Sequence, residues 1–138
     1  MDAPVDPNTA VLAVDIGGSK YMVGICDARG TILCSRSYGW RGRTADEIAS
    51  QVADAVDDEL SSHPDLAARV IAGGVAIPGF ADPTRGIWVD LDHFPVHDLP
   101  ICDLLAERAD MPFFGDNDCN ACVLAEALFG SGVGLREF

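Results

Sequence analysis

The sequence predicts an α/β domain built on an antiparallel meander of three strands, followed by strands that alternate with helices. Two observations carry this. Residues 11–15, 21–26 and 31–37 are short apolar-rich runs parted by turn residues, Gly17-Gly18 first and then Asp27-Ala28-Arg29-Gly30. Beyond residue 44, stretches with helical apolar spacing alternate with short continuous apolar runs.

The first helix has a clear start. Thr44-Ala45-Asp46-Glu47 fits a capping box, in which the Thr and Glu side chains satisfy free N–H groups of the first turn. Ile48, Val52, Ala55, Val56 and Leu60 follow at helical spacing, with Asp54, Asp57 and Asp58 off that stripe. The acidic face over 54–59 reads as ordinary surface. His63-Pro64 ends the helix, and His63 reads as a solvated cap. Residues 70–77 run apolar through Gly73-Gly74, as a buried parallel strand does, and stop at Pro78-Gly79.

Residues 80–98 read as a polar loop with a small extended piece at 86–89. Pro100 can open a second helix that carries Ile101, Leu104 and Leu105 inward. Pro112-Phe113-Phe114-Gly115 reads as a short buried strand. Asp116-Asn117-Asp118 stands where a third helix begins, with Ala121, Leu124, Ala125 and Leu128 on one face. Gly130-Ser131-Gly132-Val133-Gly134 then reads as a helix stop leading into a further segment. It is a weak dinucleotide motif, because it follows a helix and not a strand. The order is that of a ribonuclease-H-like domain, a meander extended on one side by two parallel strands with helices on the faces.

Composition narrows the function classes. A chain of 138 residues with 49% apolar content is one domain with enough core to fold without staples. A net charge of −13 argues against nucleic acid and anionic membrane, which would repel it, and leaves open ATP or a phosphosugar held by local loops and metal. Residues 1–9, acidic and broken by proline, read as a loose leader without the features of a secretory signal. No apolar run approaches the roughly 18–20 residues of a membrane span. Five cysteines in no secreted framework fit reduced thiols in a cytoplasm.

The segment Leu12-Ala13-Val14-Asp15-Ile16-Gly17-Gly18-Ser19-Lys20 carries the most chemistry. A carboxylate at a strand's carboxyl edge can hold a hydrated magnesium ion, and the bare backbone of two glycines lets N–H groups approach phosphate oxygens. The same residues also suit a Gly-Gly hairpin in which the Asp merely ends the strand. Cys119 and Cys122 form a Cys-x-x-Cys, and His93 and His97 stand four apart. These allow a zinc site or a redox pair, or simply thiols that fill space. Trp40 and Trp88 suit either a sugar face or the edge of the core, and Arg41 and Arg43 suit phosphate contact or solvent.

Four stretches, taken in order, resemble the ROK family of sugar kinases and sugar-responsive repressors, within the actin-like ATPase superfamily. They are Asp15 to Lys20; Gly74-Val75-Ala76-Ile77-Pro78-Gly79 with Asp82 and Gly86; Asp116-Asn117-Asp118-Cys119-Asn120-Ala121; and Ala125-Glu126-Ala127-Leu128-Phe129-Gly130. The resemblance implies a glucokinase-like enzyme that transfers the terminal phosphoryl group of ATP to a hexose hydroxyl. It makes Asp118 the catalytic base, at a helix N-terminus that suits a carboxylate. It puts Asn117 on a ring hydroxyl, Pro78 and Gly79 against the sugar, and Asp92 at a sugar-side position where the family usually has Asn. Asp15 would hold magnesium through water, and Gly17, Gly18, Ser19 and Lys20 would form the phosphate turn.

On the same resemblance, residues 10–138 are the N-terminal lobe of a two-lobe kinase. ATP and Mg2+ would be held mainly by the second lobe, with no metal ligated directly here, and this lobe alone would be inactive. The family's alanines at positions 119 and 122 favour a packing role for the two cysteines. The alternative is a non-enzymatic sugar-sensing lobe. Repressors of the family carry a winged-helix segment ahead of the first strand, where this chain has only ten non-basic residues, so DNA binding is not expected. Family members often pair, which leaves a homodimer open.

Overall fold

The computed structural model describes residues 6–130 and residue 134. In chain order the first elements are β1 (Ala10–Ile16), β2 (Lys20–Asp27), β3 (Ile32–Gly39), α1 (Ala45–Ser62), α2 (Pro64–Ala67) and β4 (Val70–Ile77). There follow β5 (Phe80–Asp82), β6 (Ile87–Asp90), β7 (His97–Leu99), α3 (Ile101–Ala109), β8 (Phe113–Asn117) and α4 (Asp118–Phe129). The main sheet runs β3-β2-β1-β4-β8. Its first three strands are the expected antiparallel meander, and β4 and β8 extend it from β1 in parallel. The ribonuclease-H-like order read from the sequence is the order found.

Alternation in the strands sets which face is covered. Leu12, Val14, Ile16, Tyr21, Val23, Ile25, Val75, Ile77 and Phe113 are buried in one cluster with α1 and α3 residues. Helix α1 starts as expected, the Thr44 hydroxyl accepting from the Glu47 N–H at 3.2 Å. Ile48, Val52, Ala55 and Val56 form its buried stripe. The opposite sheet face, with Val11, Ala13, Met22, Gly24, Ala72, Gly74 and Phe114, borders a groove of about 750 Å3 flanked by Ala121 and Leu124 of α4.

Several expectations are corrected. The extended piece expected at 86–89 is present as β6, but the rest of 80–98 is no polar loop: β5 and β7 join β6 in a second, three-stranded sheet, and Trp88, Phe94 and Val96 join the core. Charged and turn residues between those apolar positions masked them. Leu104 of α3 is 39% exposed while Ile101 and Leu105 are buried. Strand β8 is covered on one side only, burying Phe113 and leaving Phe114 exposed. Helix α4 begins and ends as expected, yet none of its residues is buried, and Leu124 and Leu128 lie open.

Glu59 is not surface; it is 1% exposed. His63, read as a solvated cap, has a buried Nε2 beside Glu59. Part of the supposed leader is fastened: Thr9 N–H donates to Asp6 O at 2.9 Å, and Asn8 O accepts from Arg69 Nε at 2.6 Å. Most of the glycine-rich stop after Gly130 lies outside the described residues, as do residues 1–5.

Candidate active site

Strands β1, β4 and β8 are parallel, so their carboxyl ends share one edge of the sheet, the place where open α/β sheets take ligands. The register there is informative. Asp15 pairs with Ala76, and Ala76 pairs with Asp116. The two carboxylates therefore belong to one row across three strands, their backbones roughly 10 Å apart at the usual strand spacing, with only a methyl group between them. Asp15 is exposed and Asp116 is half-buried.

Directly after Asp15 the chain turns. The Gly17 N–H donates to Lys20 O at 2.9 Å, closing the β1–β2 hairpin. A side chain at Gly17 would stand 2.9 Å from that carbonyl, whereas the space around Gly18 is open. The hairpin turn is thus tight at Gly17 and open to solvent at Gly18, Ser19 and Lys20. Trp40 braces it, its indole N–H donating to Gly17 O at 3.1 Å. The ring sits against Tyr21 and Phe94, with centroids at 4.4 and 5.8 Å. Trp40 is therefore a positioning residue, and Trp88 is wholly core.

Strand β8 runs straight into α4 through the acidic segment. Asn117 is the N-cap, its Oδ1 accepting from the N–H of Cys119 at 2.9 Å and of Asn120 at 3.4 Å. Its Nδ2 donates to Gly79 O at 2.6 Å. Asp118 is the first residue of α4, half-buried, with Oδ1 accepting from the Cys119 N–H at 2.9 Å. Asp116 Oδ1 takes the Asn117 N–H at 2.7 Å and Asn120 Nδ2 at 3.1 Å.

The loop after β4 completes the group. Pro78 is buried, and Gly79 adopts φ of 78°, a conformation glycine tolerates at little cost. A side chain at Gly79 would collide with the Asp90 carbonyl and Leu91, so this loop lies directly against the end of β6. Asp92, two residues beyond Asp90, is exposed in the following loop. The structure thus brings Pro78, Gly79, Asn117 and Asp118 together, with Asp15 and its turn at the same sheet edge. Asp92 stands on the loop beside Gly79.

Sequence reasoning missed the bracing indole of Trp40 and the links from Asn120 and Asn117 that lock the acidic segment. Only the asparagines left a signal, as polar residues in the first turn of a helix. Arg43 lies over the Phe94 ring at 5.6 Å from its centroid. Cys119 and Cys122 are exposed free thiols, and among the described residues they form no ligand cluster with His93 or His97. The groove that Asp15, Asp116 and Asn120 help to line is otherwise mostly apolar, a poor place for phosphates.

The ROK family model matches residues 11–138. The chain belongs to the ROK family. Similar ROK proteins include the glucokinase of Thermotoga maritima, 31% identical over 93% of this chain and 39% of that protein. The glucokinase of Streptomyces griseus, solved in complex with glucose and AMPPNP, superposes with a TM-score of 0.79 at 29% identity, over 91% of this chain and 38% of that one. The DNA-binding transcriptional dual regulator NagC of Escherichia coli is 24% identical over 94% of this chain and 32% of its own length. The chain therefore spans about two-fifths of the length of its glucokinase relatives. Kinases and regulators both occur among its ROK relatives, so family membership alone does not assign the activity.

Proposed function

We propose that residues 10–138 form the N-terminal lobe of a two-lobe, ATP-dependent hexose kinase of glucokinase type. The observation that carries the reading is the row Asp15–Ala76–Asp116, which leads within two residues to Asp118 beside the Gly79 loop. In this proposal Asp118 takes the proton of a sugar hydroxyl as that oxygen forms its bond to the terminal phosphorus of ATP. The bond from that phosphorus to the bridging oxygen breaks, and ADP leaves with the electron pair. Gly79 and Asn117 present the sugar, and Asp92 reaches it from the neighbouring loop.

Asp15 suits a hydrated magnesium ion, since its carboxylate is exposed and has no partner among the described residues. Bound there through water, the ion would supply charge neutralisation at the phosphates. The open Gly18 turn, with Ser19 and Lys20, offers N–H groups to their oxygens. The remaining three-fifths of the relatives' length is the natural source of the adenosine pocket and the other phosphate loop, and this lobe alone is proposed to be inactive. With net charge −13 the lobe is proposed to take no nucleic acid itself and to work in the cytoplasm, alone or as a homodimer. No helix among the described residues is long and apolar enough to cross a membrane.

The likeness to NagC favours a second reading, a sugar-sensing lobe without turnover. One experiment separates them: glucose-dependent ATP consumption by the polypeptide extended to the relatives' length. Turnover that needs Asp118 supports the kinase. Glucose binding without ATP consumption supports the sensor.

A further inference from the structure

On the covered side of the sheet, away from the phosphate turn, three ligand-bearing side chains meet where β3 packs on the last turns of α1. Cys34 Sγ, a Glu59 carboxylate oxygen and a His63 ring nitrogen all lie within 4.8 Å of one another. Glu59 is 1% exposed, and its charge-bearing group is held between strand and helix. Glu59 Oε1 lies 3.4 Å from His63 Nε2. Even so, Glu59 Oε2 and His63 Nε2 are buried with no hydrogen-bond partner. Two of the four unpartnered buried side-chain atoms among the described residues thus sit in this one corner.

Buried polar atoms are almost always satisfied, so a cluster of exceptions asks what satisfies them. A small cation would. We propose that Cys34, Glu59 and His63 bind a zinc ion that ties the edge strand β3 to the C-terminal end of α1. One sulfur, one nitrogen and one oxygen donor match the preference of zinc over magnesium or calcium, and three protein ligands leave a fourth position for water. Coordination replaces the thiol proton: the S–H bond breaks, the sulfur keeps the electron pair and bonds the ion, and one proton is released to solvent. His63 enters as neutral imidazole through Nε2.

The test is titration of the reduced, chelator-stripped 138-residue chain with Co2+ as a spectroscopic stand-in for zinc, followed by competition with Zn2+. Cys119→Ser/Cys122→Ser removes the exposed thiol pair and serves as the background. In it, one equivalent of Co2+ should bind with the d–d bands of a tetrahedral site and a thiolate-to-cobalt charge-transfer band, and Zn2+ should abolish both. Cys34→Ser should lose the charge-transfer band, and both Cys34→Ser and His63→Gln should weaken binding by at least about 100-fold. Circular dichroism of each variant separates lost ligation from lost fold. Absence of saturable binding at micromolar protein overturns the proposal without any variant. A charge-transfer band that survives Cys34→Ser, or one present only with Cys119 and Cys122 intact, overturns it as well.

Discussion

The side-chain amide of Asn117 donates to the carbonyl of Gly79 at 2.6 Å, so the first turn of α4 and the loop after β4 are held as one unit. The other end of that amide caps the helix. Asn117→Asp keeps an oxygen for the cap and removes the donor to Gly79. The fold should survive, and in a catalytically complete polypeptide the KM for sugar should rise roughly 10-fold, in line with the loss of a bond or two near 1 kcal/mol each. Parallel glucose titrations and thermal melts check this; a change in stability with unchanged KM contradicts it.

Gly79 itself allows no side chain. Its φ of 78° and the Asp90 carbonyl facing its α-carbon act together. Gly79→Ala should cost about 1–3 kcal/mol from backbone strain, with a further penalty as the loop moves off β6. Sugar binding should fall further than stability does. Denaturant unfolding with calorimetric titration would report both, and wild-type values for each would remove the loop from the site.

Trp40→Phe keeps an aromatic ring among Tyr21 and Phe94 but deletes the N–H that holds Gly17. Losing one such bond, near 1 kcal/mol, should raise the KM for ATP about 5-fold while leaving that for sugar unchanged. A reversed pattern would place Trp40 on the sugar side.

Burial, helped by Asp103, pushes the Cys102 thiol from 9.0 up to about 11. A raised folded value favours the protonated form in the folded state. Its contribution is therefore complete below pH 9 and fades as pH climbs from 9 toward 11, because the unfolded chain loses its proton first. The stability gap between wild type and Cys102→Ala should narrow by up to roughly 2 kcal/mol across that window. A gap independent of pH would contradict the burial account. Alkylation near neutral pH should reach the exposed Cys119 and Cys122 well before Cys102.

The main sheet was legible because its signals are local. Two turn sequences set the meander, the Thr44 cap set α1, and a continuous apolar run set β4. The second sheet was not, because its strands are three or four residues long and their apolar partners, Trp88, Phe94 and Val96, sit among Asp, His and Pro. Glu59 and His63 misled for a related reason. Helical spacing gives the direction a side chain faces, but not that β3 would close over that direction. At the site, the residue types in the turn and the acidic segment were readable. That Ala76 separates Asp15 from Asp116 depends on strand register, which no single segment encodes.

The central claim is that Asp118 accepts the proton of the attacking sugar hydroxyl. It is tested most directly by turnover of Asp118→Asn in the polypeptide extended to the length of its glucokinase relatives, with glucose, ATP and Mg2+ saturating. The account predicts a loss of at least roughly 100-fold in kcat with glucose affinity retained, since Asn keeps the shape and cannot take the proton. Undiminished turnover would contradict it.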